Sequence, residues 1–392
     1  MKKRYLTPHV LADLKEKMVF VGGARQVGKT SLAQYIAKEN FQMYDYLNWD
    51  SREDRKNILR SQFKGSAEIV LFDEIHKYKD WKNYLKGQFD KHKDDFKILV
   101  TGSARMDIYR KGGDSLMGRY YYYRLHPFSV SEFLEKKNKI TPFSEIDFGE
   151  TDDRVYDASR ILLKFGGFPE PLLKQSDKTL RRWHNQRLER LVKEDIRDLE
   201  NVRDLSILQV LTDILPQKVG SLLSINSLRE DLSAAHKTVA KWIEVLEKFY
   251  YHFRIYPFKD NKIRSLKKEP KLYLYDWSEI DDNEGVRLEN MVASHLLKLC
   301  HYLNDADGYK TELYFLRDIE GREVDFLVTE GGKPWFAVEV KSSRKDVSQN
   351  LVYFGQRLKI PFLYQVVKER NVDIRKDAIR IISLDRFLVA LV

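Results

Sequence analysis

Short apolar runs separated by helical stretches characterise the N-terminal part of the chain. Residues 18–21, 69–72 and 97–100 contain such runs, and residues 31–38 carry apolar side chains at helical spacing. Continuous apolar runs of this length are typical of parallel strands that are buried on both faces of a sheet. The pattern therefore predicts an α/β domain with a parallel sheet over residues 1–140.

A glycine-rich turn follows the first of these predicted strands. Residues 23–30 match the pattern G-x-x-x-x-G-K-[ST], and a predicted helix follows directly. The glycines let backbone N–H groups point at phosphate oxygens, Lys29 would reach the β- and γ-phosphates, and Thr30 would place its hydroxyl on Mg²⁺. The sequence thus predicts ATP and Mg²⁺ as cofactors. The predicted nucleotide-binding residues are Gly23, Ala24, Arg25, Gln26, Val27, Gly28, Lys29, Thr30 and Ser31.

Two carboxylates follow the second predicted strand. Asp73 and Glu74 stand directly after residues 69–72, and active groups gather at the carboxyl ends of parallel strands. We expect Asp73 to hold Mg²⁺ through its water shell and Glu74 to polarise the attacking water as the general base. Further along, Arg119 is either an arginine finger for a neighbouring subunit's nucleotide or a surface or sheet-packing residue.

Five strings in a fixed order carry a family resemblance. They are GGARQVGKT, VLFDEIHKYKDW, LVTGSAR, SLMGRYYYYRLHPFSVSEF and GGFPEPLL. Together they resemble the large prokaryotic group of AAA-type ATPases that have a C-terminal DUF4143 region, and the resemblance extends over nearly the whole chain. It implies an AAA+-like ATPase domain, in which Ser103 would be the sensor that positions the nucleophilic water.

The middle of the chain predicts two further segments. Residues 141–214 are charged and helical, which indicates a helical lid or connector with a solvated face. Residues 215–280 predict two helices and then a basic two-stranded hairpin, the layout of a winged helix, which binds DNA or other proteins. The predicted DNA-binding residues are His236, Lys237, Thr238, Lys241, Lys262, Arg264, Lys267 and Lys268, and the hairpin also contains Lys259 and Lys271.

The C-terminal segment, residues 281–392, predicts a helix, a strand and a strand hairpin that gather acidic side chains. This order resembles the PD-(D/E)xK nuclease superfamily. The resemblance implies that Asp325 and Glu339 are Mg²⁺ ligands, that Lys341 stabilises the nucleophile or the transition state, and that Glu289 assists. The residue before Asp325 is valine where that family usually has proline, and some proteins with this fold only bind DNA, so cleavage and binding alone both stay open.

Composition and charge bear on partners and compartment. The chain has 392 residues, and 69 Lys and Arg against 59 Asp and Glu give a formal net charge of +10. A positive surface attracts nucleic acid, although ordinary solubility explains such a charge equally well. The single cysteine, Cys300, cannot form an intrachain disulfide. No apolar run is long enough for a signal peptide or a membrane span, so we expect a cytoplasmic protein that does not bind a membrane.

Three functions remain open from the sequence. The first is a DNA-interacting ATPase that acts on branched or forked DNA in repair or replication, as a homo-oligomer for which a hexamer is one candidate. The second is a nucleotide switch, in which slow ATP turnover changes a conformation that regulates partners. The third is a metal-dependent nuclease that ATP controls.

Overall fold

The computed structural model of the chain describes residues 3–102, 116–150, 152–191, 205–259, 269–281, 283–344 and 346–392. These residues divide into two units, each with its own sheet. The first unit contains the described residues up to 126 and residues 248–250, and the second contains those of 127–191, 205–247 and 251–392.

A parallel sheet forms the centre of the first unit. Its strands are β1 (Met18–Gly23), β2 (Tyr44–Asn48), β3 (Ile69–Asp73), β4 (Lys97–Gly102) and β5 (Tyr120–Leu125). Their order is β2-β3-β4-β1-β5, and each neighbouring pair is parallel. The helices of this unit are α1 (Thr7–Asp13), α2 (Lys29–Asn40), α3 (Arg52–Arg60) and α4 (Trp81–His92). The sheet confirms the α/β fold that the apolar runs predict.

The strands of this sheet form where the sequence is continuously apolar. Every residue of β1 and β3 is buried, as expected for parallel strands with cover on both faces. Phe20, Phe72 and Val100 belong to one core cluster with Trp81 and Leu85 of α4. This packing holds the strands in place, and their carboxyl ends form one edge of the sheet.

The register of the sheet aligns the carboxyl ends of its strands. Asn48 pairs with Asp73, and Asp73 pairs with Thr101. Thr101 pairs in turn with Val21 of β1, and Gly102 pairs with Gly22 in the next row. Residues far apart in the sequence therefore meet at one edge, next to the turn that follows β1.

A mixed eight-stranded sheet forms the centre of the second unit. Its strands are β6 (His252–Pro257), β7 (Lys271–Leu274), β8 (Thr311–Arg317), β9 (Glu323–Glu330), β10 (Lys333–Lys341), β11 (Phe362–Val367), β12 (Asp373–Lys376) and β13 (Ile379–Ser383). They are ordered β12-β13-β11-β10-β9-β8-β6-β7. The helices wholly or mainly in this unit are α5 (Val130–Phe133), α6 (Asp153–Phe165), α7 (Pro169–Lys174), α8 (Asp177–Arg190), α9 (Leu205–Ile214), α10 (Ile225–Asp231), α11 (His236–Lys248), α12 (Glu284–Asp307), α13 (Gln349–Leu358) and α14 (Leu384–Val389).

The predicted winged-helix segment is continuous with this large sheet. Helices α10 and α11 precede the antiparallel pair β6 and β7, in the predicted order. The end of β6 also pairs in parallel with β8, through Tyr256 and Tyr314. The hairpin is therefore an extension of the C-terminal sheet, and the winged-helix assignment and the boundaries at residues 140, 214 and 280 stay predictions.

A buried ionic network fastens α8 to the segment after β7. Arg187 of α8 forms ion pairs with Glu279 and, at 3.9 Å, with Asp276. The indole N–H of Trp183 donates to Asp276 at 2.7 Å. Burial lowers the pKa of Arg187, but the carboxylates raise it more, so the pKa lies above its ordinary value. The guanidinium therefore stays charged and compensates both carboxylates.

His295 of α12 is a buried histidine with both ring nitrogens engaged. Its Nε2 accepts a hydrogen bond from the backbone N–H of Val130 at 3.1 Å, and its Nδ1 donates to the carbonyl of Met291 at 2.7 Å. Because a backbone N–H can only donate, Nε2 carries no proton and the ring is neutral. Burial lowers the pKa of His295 to about 3.

We expect this histidine to make the chain less stable in mild acid. The unfolded chain takes up the proton near a pKa of about 6.5, whereas the folded chain resists protonation down to about 3. The contribution to stability is therefore present above about pH 6.5 and is lost as the pH falls. Between pH 7 and pH 5 it should lower the free energy of unfolding by about 2 kcal/mol. Urea unfolding at both pH values measures the fall in the free energy of unfolding. In His295→Gln this fall should be smaller by about 2 kcal/mol. An equal fall in both proteins would contradict the assignment.

Candidate active site

The turn between β1 and α2 has the backbone shape of a phosphate-binding loop. Gly23 has a φ of 153° and Gly28 has a φ of 102°, in the region that favours glycine. A Cβ on Gly23 would lie 2.4 Å from the carbonyl oxygen of Leu125, so no side chain fits there. Helix α2 begins at Lys29, and its free N–H groups and positive dipole end therefore adjoin the loop.

The ammonium group of Lys29 is held against this loop. Its Nζ donates to the carbonyl oxygens of Gly23 at 3.1 Å and Ala24 at 2.7 Å, and the side chain is buried. Phosphate oxygens are stronger acceptors than carbonyl oxygens, because they carry charge. A nucleotide in the loop would therefore draw the ammonium from these carbonyls to its phosphates.

Asp73, the last residue of β3, accepts hydrogen bonds from three hydroxyl groups. Thr30 and Tyr46 each donate to Oδ2 at 2.8 Å, and Thr101 donates to Oδ1 at 2.5 Å. Burial raises the pKa of Tyr46, and the charge of Asp73 raises it further, so Tyr46 remains a protonated donor. These contacts from β2, α2 and β4 fix the buried carboxylate beside Thr30.

The oxygens of Thr30 and Asp73 fit a magnesium ion. Mg²⁺ prefers oxygen ligands and is usually bound by one or two carboxylates together with substrate phosphates and water. Here a hydroxyl and a carboxylate oxygen lie 2.8 Å apart, beside a loop that presents N–H groups and a buried lysine. This chemistry suits Mg²⁺ bound together with a nucleoside triphosphate.

Glu74 stands at the same edge, directly after Asp73. Its backbone is left-handed, with a φ of 56°, a conformation that is uncommon outside glycine and clusters at functional sites. Its N–H donates to the carbonyl of Thr101 at 3.0 Å. Its Oε2 lies 3.6 Å from Nζ of Lys77 and 3.7 Å from Nε2 of His76. A cation and an imidazole therefore adjoin the predicted general base.

His76 is a functional candidate that sequence reasoning does not identify. Its ring is buried, and neither ring nitrogen has a hydrogen-bond partner among the residues the structure describes. Burial lowers the pKa of His76 although Glu74 acts to raise it, so the ring is neutral. Its position two residues after Glu74 is the signal that points to it, and its Nε2 lies 3.7 Å from the Glu74 carboxylate, which is longer than a hydrogen bond.

Arg4 is a second residue that no motif marks. Its guanidinium donates to the carbonyl of Val27, within the loop, at 2.6 Å and to the carbonyl of His126 at 2.5 Å. The side chain is buried. The N-terminal segment therefore fixes the backbone of the phosphate-binding loop from outside the motif.

Three family models match the chain. One is described as an AAA domain and matches residues 15–134, and two are described as domains of unknown function, DUF8612 at residues 157–278 and DUF4143 at residues 284–387. The chain belongs to the AAA-type ATPases with a C-terminal DUF4143 domain. The resemblance that the five sequence strings predict is thereby confirmed.

Relatives of similar sequence include two proteins that are described as uncharacterized. An uncharacterized protein of Haemophilus influenzae is 24% identical over 339 residues, which cover 78% of this chain and 78% of that protein. The uncharacterized protein MJ1544 of Methanocaldococcus jannaschii is 25% identical, with 80% of this chain and 73% of that protein covered. The solved Thermotoga maritima RuvB Holliday junction branch migration motor is 18% identical and has a TM-score of 0.32, with 65% of this chain and 84% of that chain covered. A score this low supports no conclusion about activity or partners.

Two further predicted catalytic residues are Ser103 and Arg119. Ser103 lies outside the described residues. Arg119 precedes β5 at the amino edge of the sheet, because Tyr120 pairs with Met18 at the start of β1. Its guanidinium forms two hydrogen bonds with Asp90, at 2.7 and 3.1 Å. It therefore stands at the edge opposite the loop of its own chain, and a role in a neighbouring subunit stays a prediction.

The predicted DNA-binding residues are only partly described. His236, Lys237, Thr238 and Lys241 are exposed on α11, and Lys259 is exposed after β6. The predicted contacts at Lys262, Arg264, Lys267 and Lys268 lie outside the described residues. Lys271 does not fit the predicted phosphate contact, because its side chain is buried and paired with Glu323.

The predicted metal ligands of the DUF4143 domain lie on the neighbouring strands β9 and β10. Three protein groups surround the Asp325 carboxylate. It accepts a hydrogen bond from the N–H of Val340 at 2.8 Å, and the ammonium groups of Lys271, at 3.8 Å, and of Lys341 face it. Glu339 pairs with Lys341 at 2.9 Å, and its Oε2 is buried without a partner in the described structure. Burial and the charge of Asp325 raise the pKa of Glu339 to about 7. Metal binding by this pair stays a prediction.

Proposed function

We propose that this protein hydrolyses ATP with Mg²⁺ at the turn between β1 and α2. The contact between Thr30 and Asp73, at 2.8 Å, carries the proposal. It joins two halves of a site that are 43 residues apart in the sequence. A buried lysine, a hydroxyl and a carboxylate that converge beside a glycine loop are the groups that phosphoryl transfer needs.

Each protein group has a separate task in this mechanism. The N–H groups of residues 23–31 bind the phosphates, and Lys29 balances charge on the β- and γ-phosphates. Thr30 and Asp73 would hold Mg²⁺, which neutralises charge that develops on the phosphate oxygens. Glu74 accepts a proton from the water that attacks the γ-phosphorus, as the bond from that phosphorus to the β–γ bridging oxygen breaks.

DNA is the proposed partner, with branched or forked DNA as the preferred form. The exposed cations Lys237 and Lys241 on α11 support this proposal, as does the net charge of +10. Contacts from such lysines go mainly to phosphates, so binding would be largely independent of base sequence and would weaken with salt.

We further propose that the protein works as a homo-oligomer in the cytoplasm, with a hexamer as one candidate. In such an assembly Arg119 would leave Asp90 and approach the nucleotide of the neighbouring subunit. Cys300 as the single cysteine supports a reducing compartment. In the described part of the chain no helix is long and apolar enough to cross a membrane.

Steady-state ATP hydrolysis with different DNA forms tests the DNA proposal. Turnover is measured without DNA and with linear duplex, single-stranded and forked DNA, at low and moderate salt. We expect forked DNA to stimulate turnover most, and we expect the stimulation to fall steeply as salt increases. Turnover that no DNA form alters would instead support a nucleotide switch that regulates a protein partner.

A charge-matched pair of variants locates the DNA surface. Lys237→Glu with Lys241→Glu should reduce the ratio of stimulated to basal turnover, because two cations on α11 become anions. Lys333→Glu with Lys376→Glu changes two exposed lysines elsewhere in the same unit and has the same effect on net charge. Equal ratios of stimulated to basal turnover in the two double variants would show that α11 is not part of the DNA-binding surface.

A further inference from the structure

The acidic cluster of the second unit is arranged around a lysine. Nζ of Lys271 lies 2.5 Å from Glu323, 3.7 Å from Glu289 and 3.8 Å from Asp325. The carboxylates stand on α12 and β9, and Lys271 stands on β7. Only 4% of the Lys271 side chain is exposed. The ammonium group is therefore enclosed by carboxylates and lies among all three.

The backbone holds Lys271 in this place. Lys271 pairs with Ile255 across the β6–β7 hairpin, and it forms a bridge with Leu222 on its other side. Its ammonium also lies 5.6 Å from the centre of the Phe315 ring. Burial lowers the pKa of Lys271, but the carboxylates around it raise the pKa more, so the group stays charged.

Other protein groups complete the cluster. Tyr273 donates to Glu289 at 2.7 Å, and the N–H of Val340 donates to Asp325 at 2.8 Å. Glu323 has an arginine of β8 as a second ionic partner. The carboxylates that face Lys271 are thus compensated by groups of the chain itself.

A divalent cation would need the space that this ammonium group fills. Metal–oxygen distances are about 2.0–2.6 Å, so the ion would lie among the same oxygens. Two cations about 4 Å apart repel each other, and the repulsion grows where water is excluded. Within the described ranges, no group of three or more His, Cys, Asp or Glu side chains is arranged to hold a metal. Glu289, Glu323 and Asp325 therefore do not fit a divalent metal while Lys271 stands among them. The nuclease resemblance implies Asp325 and Glu339 as ligands, and both oxygens of Asp325 are already engaged, Oδ2 by the N–H of Val340 and Oδ1 by Lys271 at 3.8 Å.

We propose that Lys271 is the internal cation of this cluster and keeps divalent metal out of it. Replacing Lys271 by an uncharged residue should then open a divalent cation site at Glu289, Glu323 and Asp325. The inference does not depend on ATP hydrolysis, because its test contains no nucleotide.

Manganese binding to the full-length chain tests this proposal. Chelator-treated, nucleotide-free protein is titrated with Mn²⁺, and bound metal is counted by electron paramagnetic resonance. Wild type and Lys271→Arg should bind no Mn²⁺ that depends on Asp325, whereas Lys271→Met should bind one ion per chain. Adding Asp325→Asn to Lys271→Met should weaken that binding at least about tenfold, because a charged ligand is lost. Mn²⁺ should also raise the melting temperature of Lys271→Met and not that of wild type.

Two results would overturn the proposal. One is a wild-type Mn²⁺ site that disappears in Asp325→Asn, and the other is a folded Lys271→Met chain that binds no Mn²⁺. If Lys271→Met folds only when Mn²⁺ is present, the metal has replaced the lysine, as proposed. If it folds in neither condition, the comparison of wild type with Asp325→Asn decides: an Asp325-dependent site overturns the proposal, and its absence supports it.

Discussion

Glu74→Gln should reduce ATP turnover at least about 100-fold while nucleotide binding is retained. The glutamine has nearly the same shape as the glutamate but cannot accept a proton from the attacking water. The loop contacts of Lys29 and the hydroxyl contacts of Asp73 do not involve the Glu74 side chain. Phosphate release measures turnover, and a fluorescent ATP analogue measures binding in the same samples.

A different pattern is expected when the phosphate contact is removed. Lys29→Ala takes away the ammonium group that balances charge on the β- and γ-phosphates, so it should weaken nucleotide binding as well as turnover. Comparison of the two variants therefore separates proton acceptance by Glu74 from phosphate binding by the loop. Turnover of Glu74→Gln within a few-fold of wild type would show that Glu74 is not the general base.

Arg187→Met should lower the free energy of unfolding by about 3–5 kcal/mol. The methionine fills a similar volume but leaves Glu279 and Asp276 without the cation that compensates them inside the unit. Burial already raises the pKa of Glu279, and loss of the arginine raises it further, so part of the cost appears as proton uptake. The urea midpoint, followed by circular dichroism, measures the change.

An exposed arginine provides the control for this variant. Arg154 pairs with Asp152 at 2.7 Å, and 82% of its side chain is exposed. Exposed ion pairs contribute little to stability, because water and salt screen them. We expect no measurable shift of the urea midpoint for Arg154→Met. Equal shifts for the two arginine variants would show that the buried network around Arg187 contributes no more to stability than an exposed ion pair.

The phosphate-binding loop could be predicted from the sequence because its parts are contiguous. A strand, a glycine turn and a helix follow one another within residues 18–40, and each has a local pattern of its own. The hydroxyl groups that hold Asp73 could not be found in this way. Tyr46 and Thr101 reach it from the strands on either side, and the order of strands in a sheet is not visible in the spacing of residues.

Charge patterns are the least reliable guide in this chain, because charge does not report burial. Lys271 ends a run of cations that resembles a phosphate-binding hairpin, yet its ammonium group is buried among carboxylates. Arg119 has the residue type of an arginine finger, but the parallel pairing of β5 with β1 sets it at the edge away from the loop. Both positions follow from strand pairing, which brings in partners from distant segments.

Steady-state phosphate release by the wild-type chain tests the central claim most directly. The assay uses ATP with Mg²⁺, the same mixture with excess chelator, and Glu74→Gln as the background. We predict Mg²⁺-dependent release that chelator abolishes and that exceeds the Glu74→Gln rate at least about 100-fold. Release that is equal in wild type and Glu74→Gln, or that continues in chelator, would contradict ATP hydrolysis at this site.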